Sequence, residues 1–140
     1  MNKPKLYKGG ISEDSRGSVS YNNNLKLKKI RRFYVVKNKK KNFIRAWHGH
    51  KIEAKFIMCI EGKAKIAAVR INNFKNPSRK SKPYYFNLDS KKSDVIYIPP
   101  GFANGSKSIT KNMKLYILST TTLEKSLKDD FRFPINFWTI

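Results

Sequence analysis

The two histidines of this 140-residue chain, His48 and His50, lie one residue apart in the stretch RAWHGHK at residues 45–51. Residues two apart on a β-strand project from the same face, so both imidazoles could serve one site. Histidine titrates near neutral pH and is also a common ligand of transition metals. The spacing therefore allows three interpretations: a metal site, a proton-transfer pair, or a structural pair without chemistry.

A metal site would need at least one further ligand. Glu53 follows the pair, and two imidazoles with a carboxylate suit Zn, Fe or Mn. In the cupin families such a set is completed by a histidine shortly after a Pro-x-Gly motif, but here the residue three positions after Gly101 is Asn104. Glu53 would also point away from both histidines on an alternating strand. A metal-binding or non-catalytic small cupin is therefore the second interpretation, and we expect no metal.

Basic residues surround the histidine pair, namely Arg45, Lys51 and Lys55. Nearby cations disfavour the imidazolium form, so they keep a histidine neutral and able to act as a base. The same cations can hold phosphate oxygens. This neighbourhood favours a proton-transferring histidine that acts on a phosphorylated substrate.

The charge of the whole chain points to anionic partners. It carries 31 Lys and Arg residues against 9 Asp and Glu residues, a formal net charge of +22. Such a field favours nucleic acid, a membrane surface or a phosphorylated small molecule. The excess is mostly lysine and is spread along the chain, as in proteins encoded by AT-rich genomes. No nucleic-acid-binding motif is present, so an anion-binding or nucleic-acid-binding module is the third interpretation.

Cysteine use and hydropathy predict a soluble, cytoplasmic protein without a membrane span. The single cysteine, Cys59, excludes an intramolecular disulfide framework and is expected in the core. The N-terminus MNKPKLYKGG has no apolar segment after its lysines, unlike a secretory signal. No apolar run approaches the roughly 18 to 20 residues that span a bilayer.

The distribution of β-branched and aromatic residues predicts strands at 29–36, 42–49, 54–60, 63–71, 82–88, 94–98 and 114–120. Glu61–Gly62 predicts a hairpin turn between two of them. The one helix signal lies at 122–130, with Thr122 as its cap and Lys125 and Asp129 as an i,i+4 pair. The pattern predicts one all-β domain over 1–140, a sandwich or barrel. The polar segment 1–25 is either a flexible terminus or an added edge strand, and 122–140 closes the domain.

Seven segments, in order along the chain, resemble one family. They are DSRG (14–17), FYVVKN (33–38), IRAWH (44–48), AKFIMCIEGKAKIAAV (54–69), IPPGFANGS (98–106), LYILST (115–120) and DDFRFPINFW (129–138). They are similar to motifs of the dTDP-4-dehydrorhamnose 3,5-epimerases and the related nucleotide-sugar 3,4-ketoisomerases. The resemblance implies a cupin-type jelly roll that forms a homodimer.

The resemblance also implies an isomerase that needs no cofactor and acts on a nucleoside-diphosphate 4-keto-6-deoxyhexose, in the biosynthesis of surface-polysaccharide sugars. The C4 carbonyl of that sugar acidifies the protons at C3 and C5, so a base can form an enolate. His48 would be the base, oriented by Asp130, and Tyr116 would be the acid. The stretch HGHK is nearer the ketoisomerases, in which His50 would help to pass a proton between the C3 and C4 oxygens. Epimerase and ketoisomerase both stay open.

The candidate substrate-binding residues are Arg16, Asn38, Arg45, Lys55 and Asn104, which lie at or beside the segments that resemble the family, together with Trp47. Arg45 and Lys55 would bind the diphosphate or polarise the ketone. Arg16 would lie on a swapped N-terminal strand and reach the neighbouring subunit, and Trp47 would either stack on the substrate or fill the core. Strict alternation puts Arg45 and His48 on opposite faces of a strand. A bulge or a strand end must therefore lie between them if both serve one site.

Overall fold

Short strands form nearly all of the regular structure in the computed structural model, which describes residues 2–140. The strands are β1 (Lys5–Tyr7), β2 (Gly10–Asp14), β3 (Gly17–Tyr21), β4 (Arg32–Asn38), β5 (Ile44–His50), β6 (Lys55–Glu61), β7 (Lys63–Arg70), β8 (Tyr84–Asp89), β9 (Val95–Ile98), β10 (Phe102–Ser108), β11 (Met113–Ser119) and β12 (Phe131–Arg132), and the helix is α1 (Leu123–Lys128). No helix within residues 2–140 is long and apolar enough to cross a membrane.

Ten of the strands form two five-stranded antiparallel sheets. The first sheet has the order β1-β9-β6-β11-β4 and the second has the order β12-β5-β10-β7-β8. Strands β2 and β3 pair with each other in a separate hairpin. Because strands that are distant in sequence lie side by side in both sheets, the fold is a jelly-roll sandwich, as the sequence predicts.

The main core lies between the two sheets. Alternation along each strand supplies it, so that Leu115 and Ile117 of β11 point inwards while Tyr116 between them points outwards. Burial of each large apolar side chain contributes about 1.5–3 kcal/mol to folding. Cys59 belongs to this core, and its thiol donates to the carbonyl of Glu61 at 3.2 Å. Burial raises the pKa of Cys59 to about 11.

Each sheet is also partly covered on its outer face. The C-terminal segment packs against the second sheet, where the rings of Trp47 and Trp138 meet edge to face at 5.4 Å. Leu25 and Ile30 pack in the same way against Phe56 on the first sheet. The cover of the first sheet leaves a mainly apolar recess of about 360 Å³ on its outer face.

Most of the predicted elements are confirmed. All seven predicted strands exist with ends within three residues of those observed, and Gly62 forms the hairpin turn with a φ of 70°. The sequence pattern missed β10 and the short strands β1 and β12, and it missed that segment 9–25 contains a hairpin paired with itself. Thr122 caps α1 as predicted. The predicted pairing of Lys125 with Asp129 is wrong, because the Asp129 carboxylate accepts backbone N–H groups instead.

Candidate active site

One end of the sandwich contains a cavity of about 210 Å³ between the sheets, referred to below as the site cavity. Its polar lining comes from Tyr34 of β4, Arg45 and His48 of β5, Lys55 of β6, and Asn104 and Ser106 of β10. Apolar side chains of the core, such as Ile57 and Ile117, form its floor. The sheets thus bring together Arg45, His48, Lys55 and Asn104, four of the predicted site residues.

A β-bulge in β5 lets Arg45 and His48 face the same cavity. Asn104 pairs with His48 and Ser106 pairs with Arg45, so three residues of β5 advance against two of β10. The peptide bond between Ala46 and Trp47 in this bulge is cis. The predicted bulge between Arg45 and His48 is therefore confirmed.

The same bulge directs Trp47 away from the site cavity. Its side chain is 1% exposed and its indole N–H donates to the carbonyl of Ile135 at 3.1 Å. It lies in the cluster under the C-terminal segment, against Trp138. The predicted contact of Trp47 with substrate is not supported, because the indole fills the core on the outer face of its sheet.

His48 is a half-buried imidazole with a carboxylate behind it. Its Nδ1 lies 3.8 Å from Oδ1 of Asp130, whose other oxygen accepts from Arg132 at 2.9 Å. Burial, together with the cations Lys55 and Arg132, lowers the pKa of His48 below the usual 6.5, and Asp130 opposes this only in part. The imidazole is therefore neutral at pH 7 and able to accept a proton.

His50 occupies a different environment from its neighbour. Its side chain is 6% exposed, its Nδ1 lies 2.7 Å from the carbonyl oxygen of Asp129, and its Nε2 lies 3.2 Å from Oε2 of Glu53. Because a carbonyl oxygen only accepts, Nδ1 must carry a proton. Both ring nitrogens thus face protein acceptors. His50 lies outside the site cavity, but it lines an adjoining recess of about 170 Å³ together with His48.

Glu53 is a fully buried carboxylate beside the cavity. Its Oε1 accepts from the hydroxyls of Ser119 at 2.6 Å and Thr121 at 3.0 Å, and from Arg32 at 3.2 Å. Its Oε2 lies 3.6 Å from the ammonium of Lys55, which lines the cavity. Burial alone would raise the pKa of Glu53, but Lys55 and the other donors lower it to about 2. Alternation along the sequence, which directs Glu53 away from both histidines, did not predict these contacts.

A metal-binding alternative would need the donors of Glu53, His48 and His50 to converge. Oε1 of Glu53 is taken by three protein donors, and Nδ1 of His48 faces Asp130 whereas Nε2 of His50 faces Glu53. Over residues 2–140, no three His, Cys, Asp or Glu side chains are grouped as metal ligands. The described part of the chain therefore does not assemble the ligand set that a metal-binding cupin would use.

Arg45 connects the site cavity to a second recess. Its Nε donates to Oδ1 of Asn38 at 2.7 Å, and its guanidinium lies 5.5 Å from the ring centre of Phe43. The recess measures about 250 Å³ and is lined by Arg45, Asn38, Phe43, Lys37, Lys39 and Lys40. Asn104 faces the site cavity, and its amide donates to the His48 carbonyl at 3.1 Å.

The tyrosine that faces the site cavity is Tyr34 rather than the predicted Tyr116. Tyr116 projects from the outer face of the first sheet, where its ring stacks on Phe33 at 5.2 Å. Tyr34 lies on β4 with the same parity as Asn38, and its ring carries the guanidinium of Arg32 at 4.9 Å. Tyr34 and Asn38 lie on the same face of β4, and the resemblance had already assigned Asn38 to the substrate. This shared face could have identified Tyr34 from the sequence.

Arg16 lies far from the histidines in sequence and outside the site cavity of its own chain. It follows the end of β2 at the turn of the β2–β3 hairpin, with its side chain 89% exposed. Its partner is Asp14, at 2.7 Å.

A family model described as dTDP-4-dehydrorhamnose 3,5-epimerase matches residues 6–133 of the sequence. No curated protein gives a significant sequence match.

Solved structures of two kinds share the fold. The sugar 3,4-ketoisomerase QdtA from Thermoanaerobacterium thermosaccharolyticum, in complex with TDP, is 19% identical with a TM-score of 0.69, covering 96% of this chain and 90% of that chain. The dTDP-4-dehydrorhamnose 3,5-epimerase from Bacillus anthracis, with TDP and PPi bound, is 18% identical with a TM-score of 0.75, covering 91% and 76%. NovW, a 4-keto-6-deoxy sugar epimerase from Streptomyces spheroides, is 16% identical with a TM-score of 0.77, covering 94% and 70%.

Proposed function

This chain belongs to the dTDP-4-dehydrorhamnose 3,5-epimerase family, and we propose that it epimerises or ketoisomerises a nucleoside-diphosphate 4-keto-6-deoxyhexose. The observation that carries the proposal is the neutral imidazole of His48 in a cavity that also contains the buried ammonium of Lys55. We further propose that the product sugar enters a surface polysaccharide, as the resemblance to enzymes of those pathways implies.

In the proposed reaction His48 removes a proton next to the C4 carbonyl. The C–H bond breaks, the proton passes to the imidazole, and the electron pair forms a C=C bond while the carbonyl becomes an enolate oxygen. Lys55 stabilises the negative charge on that oxygen, since an ammonium in a partly desolvated site interacts strongly with a developing anion. The reaction uses no cofactor, because the sugar's own carbonyl supplies the acidity.

Tyr34 is our candidate for the acid that returns a proton to the enolate. A phenol can donate the proton that forms the new C–H bond and restores the carbonyl. The imidazolium of His48 then loses its proton to solvent, and the Tyr34 phenolate takes one from solvent, which returns both groups to their starting states. Tyr34 takes this role in place of Tyr116, which points away from the cavity. Proton return on the face opposite to His48 would invert the carbon.

The recess beyond Arg45 suits the nucleotide end of the substrate. Its lysines and Arg45 offer several donors for the diphosphate, and Phe43 offers an aromatic surface for the base. Arg45 borders both spaces, so a substrate could place its sugar in one and its diphosphate beside Arg45.

The burial of His50 favours epimerisation within the proposed pair of reactions. The resemblance implies that a ketoisomerase uses a second histidine between the C3 and C4 oxygens. Both nitrogens of His50 face protein acceptors instead.

The test is incubation with dTDP-4-keto-6-deoxyglucose in deuterated water, followed by NMR. Epimerisation would place deuterium at C3 or C5 and leave the carbonyl at C4, whereas ketoisomerisation would place deuterium at C4 and the carbonyl at C3. His48→Asn is expected to abolish uptake while Glu61→Gln, on the outer end of β6, leaves it unchanged. A wild-type chain that takes up no deuterium would contradict the proposed function.

We propose a homodimer in which the β2–β3 hairpin reaches the partner. The hairpin is almost wholly exposed, with Val19 at 64%, and the outer face of the first sheet exposes Phe33, Val35 and Ile60. Apolar surface of this kind suits a symmetric contact between two copies. Arg16 at the hairpin turn would then lie near the partner's nucleotide recess.

Subunit mixing tests this assembly. Arg16→Ala and His48→Asn chains should each be weakly active or inactive alone, but a mixed dimer would contain one site with both native residues. We expect activity to reappear after the two proteins are unfolded and refolded together. Mixing that restores no activity, or a monomer by light scattering, would contradict the shared site.

A further inference from the structure

The carboxylate of Glu53 is in contact with three basic side chains that surround the candidate site. Arg32 bonds to one oxygen at 3.2 Å, and His50 and Lys55 approach the other at 3.2 and 3.6 Å. The Glu53 side chain has no exposed surface, and those of His50 and Lys55 are 6% and 9% exposed. Isolated buried charges are costly, so each of these groups depends on the others.

The cluster contains more positive than negative charge. Arg32 and Lys55 are cations, and Glu53 is the one carboxylate that contacts both. Two further carboxylates lie nearby but are already engaged, since Asp129 accepts three backbone N–H groups and Asp130 pairs with Arg132. The uncompensated positive charge lies at the cavity wall, because Lys55 borders the cavity and Arg32 lies over the Tyr34 ring.

We propose that Glu53 is a positioning residue for the isomerase reaction, holding Lys55 at the cavity wall where the enolate oxygen forms. This inference rests on the proposed function. Glu53 acts through Lys55 rather than on the substrate. It is shared among several cations, so it fixes the ammonium in place without cancelling the positive charge that the enolate needs.

Hydroxyl groups hold the carboxylate in this arrangement. Ser119 and Thr121 both donate to Oε1, which leaves Oε2 directed at His50 and Lys55. The backbone N–H of Glu53 donates to Asp129 at 2.9 Å, which fixes the turn that carries Glu53. The position of Oε2 is therefore set from the backbone and from the side chain together.

Glu53→Gln tests the inference because it keeps the shape and removes the charge. Its oxygen can still accept from Ser119, Thr121 and Arg32, whereas its amide nitrogen would face Lys55 as a second donor. We expect deuterium exchange of the substrate to slow by roughly 10- to 100-fold, less than the loss of a donor that touches the oxyanion itself. Binding of dTDP should change by less than about threefold, since the nucleotide recess lies beyond Arg45.

A second readout does not depend on turnover. The chain has two histidines, so two sets of imidazole signals are expected in an NMR titration and can be assigned with His48→Asn. Glu53 favours the imidazolium of His50, so Glu53→Gln should shift the titration of His50 to lower pH. Glu53→Asp, which restores the charge but not the reach, should reverse most of that shift and recover part of the exchange rate.

Glu61→Gln is the matched control, since it makes the same change at an exposed carboxylate, at the end of the strand β6 that follows Glu53, paired with Lys114 at 3.5 Å. The inference is overturned if Glu53→Gln lowers only the thermal stability, leaving exchange and the His50 titration as in the control. If Glu53→Gln does not fold, Glu53→Asp alone decides, and unchanged exchange would overturn it. A wild-type protein that exchanges no deuterium refutes the proposed function instead, and overturns the positioning role of Glu53 with it.

Discussion

The imidazole of His48 has more cations than anions around it, and this determines how its activity should depend on pH. Burial, Lys55 and Arg132 lower its pKa below 6.5. A base must be neutral to accept a proton, so kcat/KM should rise with pH through a midpoint below 6.5 and then stay level. A pH–rate profile for deuterium exchange measures this, and a midpoint above 6.5 would contradict the role of His48 as the base.

Two tyrosines provide a matched test of which one is the acid. Tyr34→Phe should reduce formation of the isomerised product by roughly 10²- to 10⁴-fold, the usual contribution of a general acid. Exchange of the proton that His48 removes should persist, since that step does not use Tyr34. Tyr116→Phe should leave both rates unchanged, because its ring stacks on Phe33 outside the cavity. The opposite pattern in product analysis by NMR would restore Tyr116 as the acid.

At the scale of the residue, the sequence predicted correctly those side-chain directions that follow from alternation along a single strand. The bulge between Arg45 and His48 followed from alternation, and it is present. Tyr116 was misplaced because the family resemblance, rather than its parity on β11, determined its assignment. The buried contacts of His50 depend on Asp129, 79 residues away, and nothing local in the sequence reveals a contact over that distance.

At the scale of the element, the end of α1 supports the site through two adjacent carboxylates with different tasks. Asp129 accepts from the backbone N–H groups of Lys51, Ile52 and Glu53 at 2.8 to 2.9 Å. Asp130 instead faces His48. The first carboxylate fixes the turn between β5 and β6, and the second raises the pKa of His48.

Asparagine substitutions should separate these tasks. Asp129→Asn loses a charged acceptor for backbone donors, so the free energy of unfolding should fall by about 2 kcal/mol. Asp130→Asn should change stability by less than about 1 kcal/mol, because its ion pair with Arg132 is partly exposed. It should also lower the pKa of His48 further, since Asp130 raises it. Urea unfolding and the pH–rate profile measure the two effects, and equal effects in both variants would contradict the division.

The strands that the sequence revealed are those rich in branched and aromatic residues. Strand β10 escaped because FANGSKS combines small and polar residues, which are typical of loops. Strand β10 needs small residues where it lies beside the bulge of β5, because a Cβ at Gly105 would come within 2.8 Å of the Ala46 Cβ. Residues selected for close packing between strands thus resemble turn residues in sequence.

At the scale of the whole molecule, buried titratable groups predict loss of stability in acid in two stages. The pKa values of His48 and His50 in the folded protein lie below 6.5. Their contribution to the free energy of unfolding is therefore full above pH 6.5 and declines below it. Glu53 has a folded pKa of about 2 against 4.5, so its contribution is full above about pH 4.5 and disappears as the pH falls to about 2. In that second stage the free energy of unfolding should fall by roughly 3 kcal/mol.

Denaturant midpoints measured from pH 7 to pH 2 check this profile. Glu53→Gln should lose the Glu53 stage and extend the histidine stage to lower pH, because Glu53 raises the pKa of His50. The lost stage separates that carboxylate from the general repulsion of a chain with a net charge of +22. If the denaturant midpoint of Glu53→Gln falls as steeply as that of the wild type between pH 4.5 and 2, the loss of stability in acid comes from charge repulsion and not from Glu53.

The thiol of Cys59 gives this protein an internal reporter of its own opening. It is the single sulfhydryl in the chain, it is 2% exposed between the sheets, and its pKa of about 11 keeps it protonated. An alkylating reagent can therefore modify it only in molecules whose sheets have separated. The labelling rate under native conditions would then give the free energy of that separation, and a bound nucleotide sugar should slow it in proportion to its occupancy.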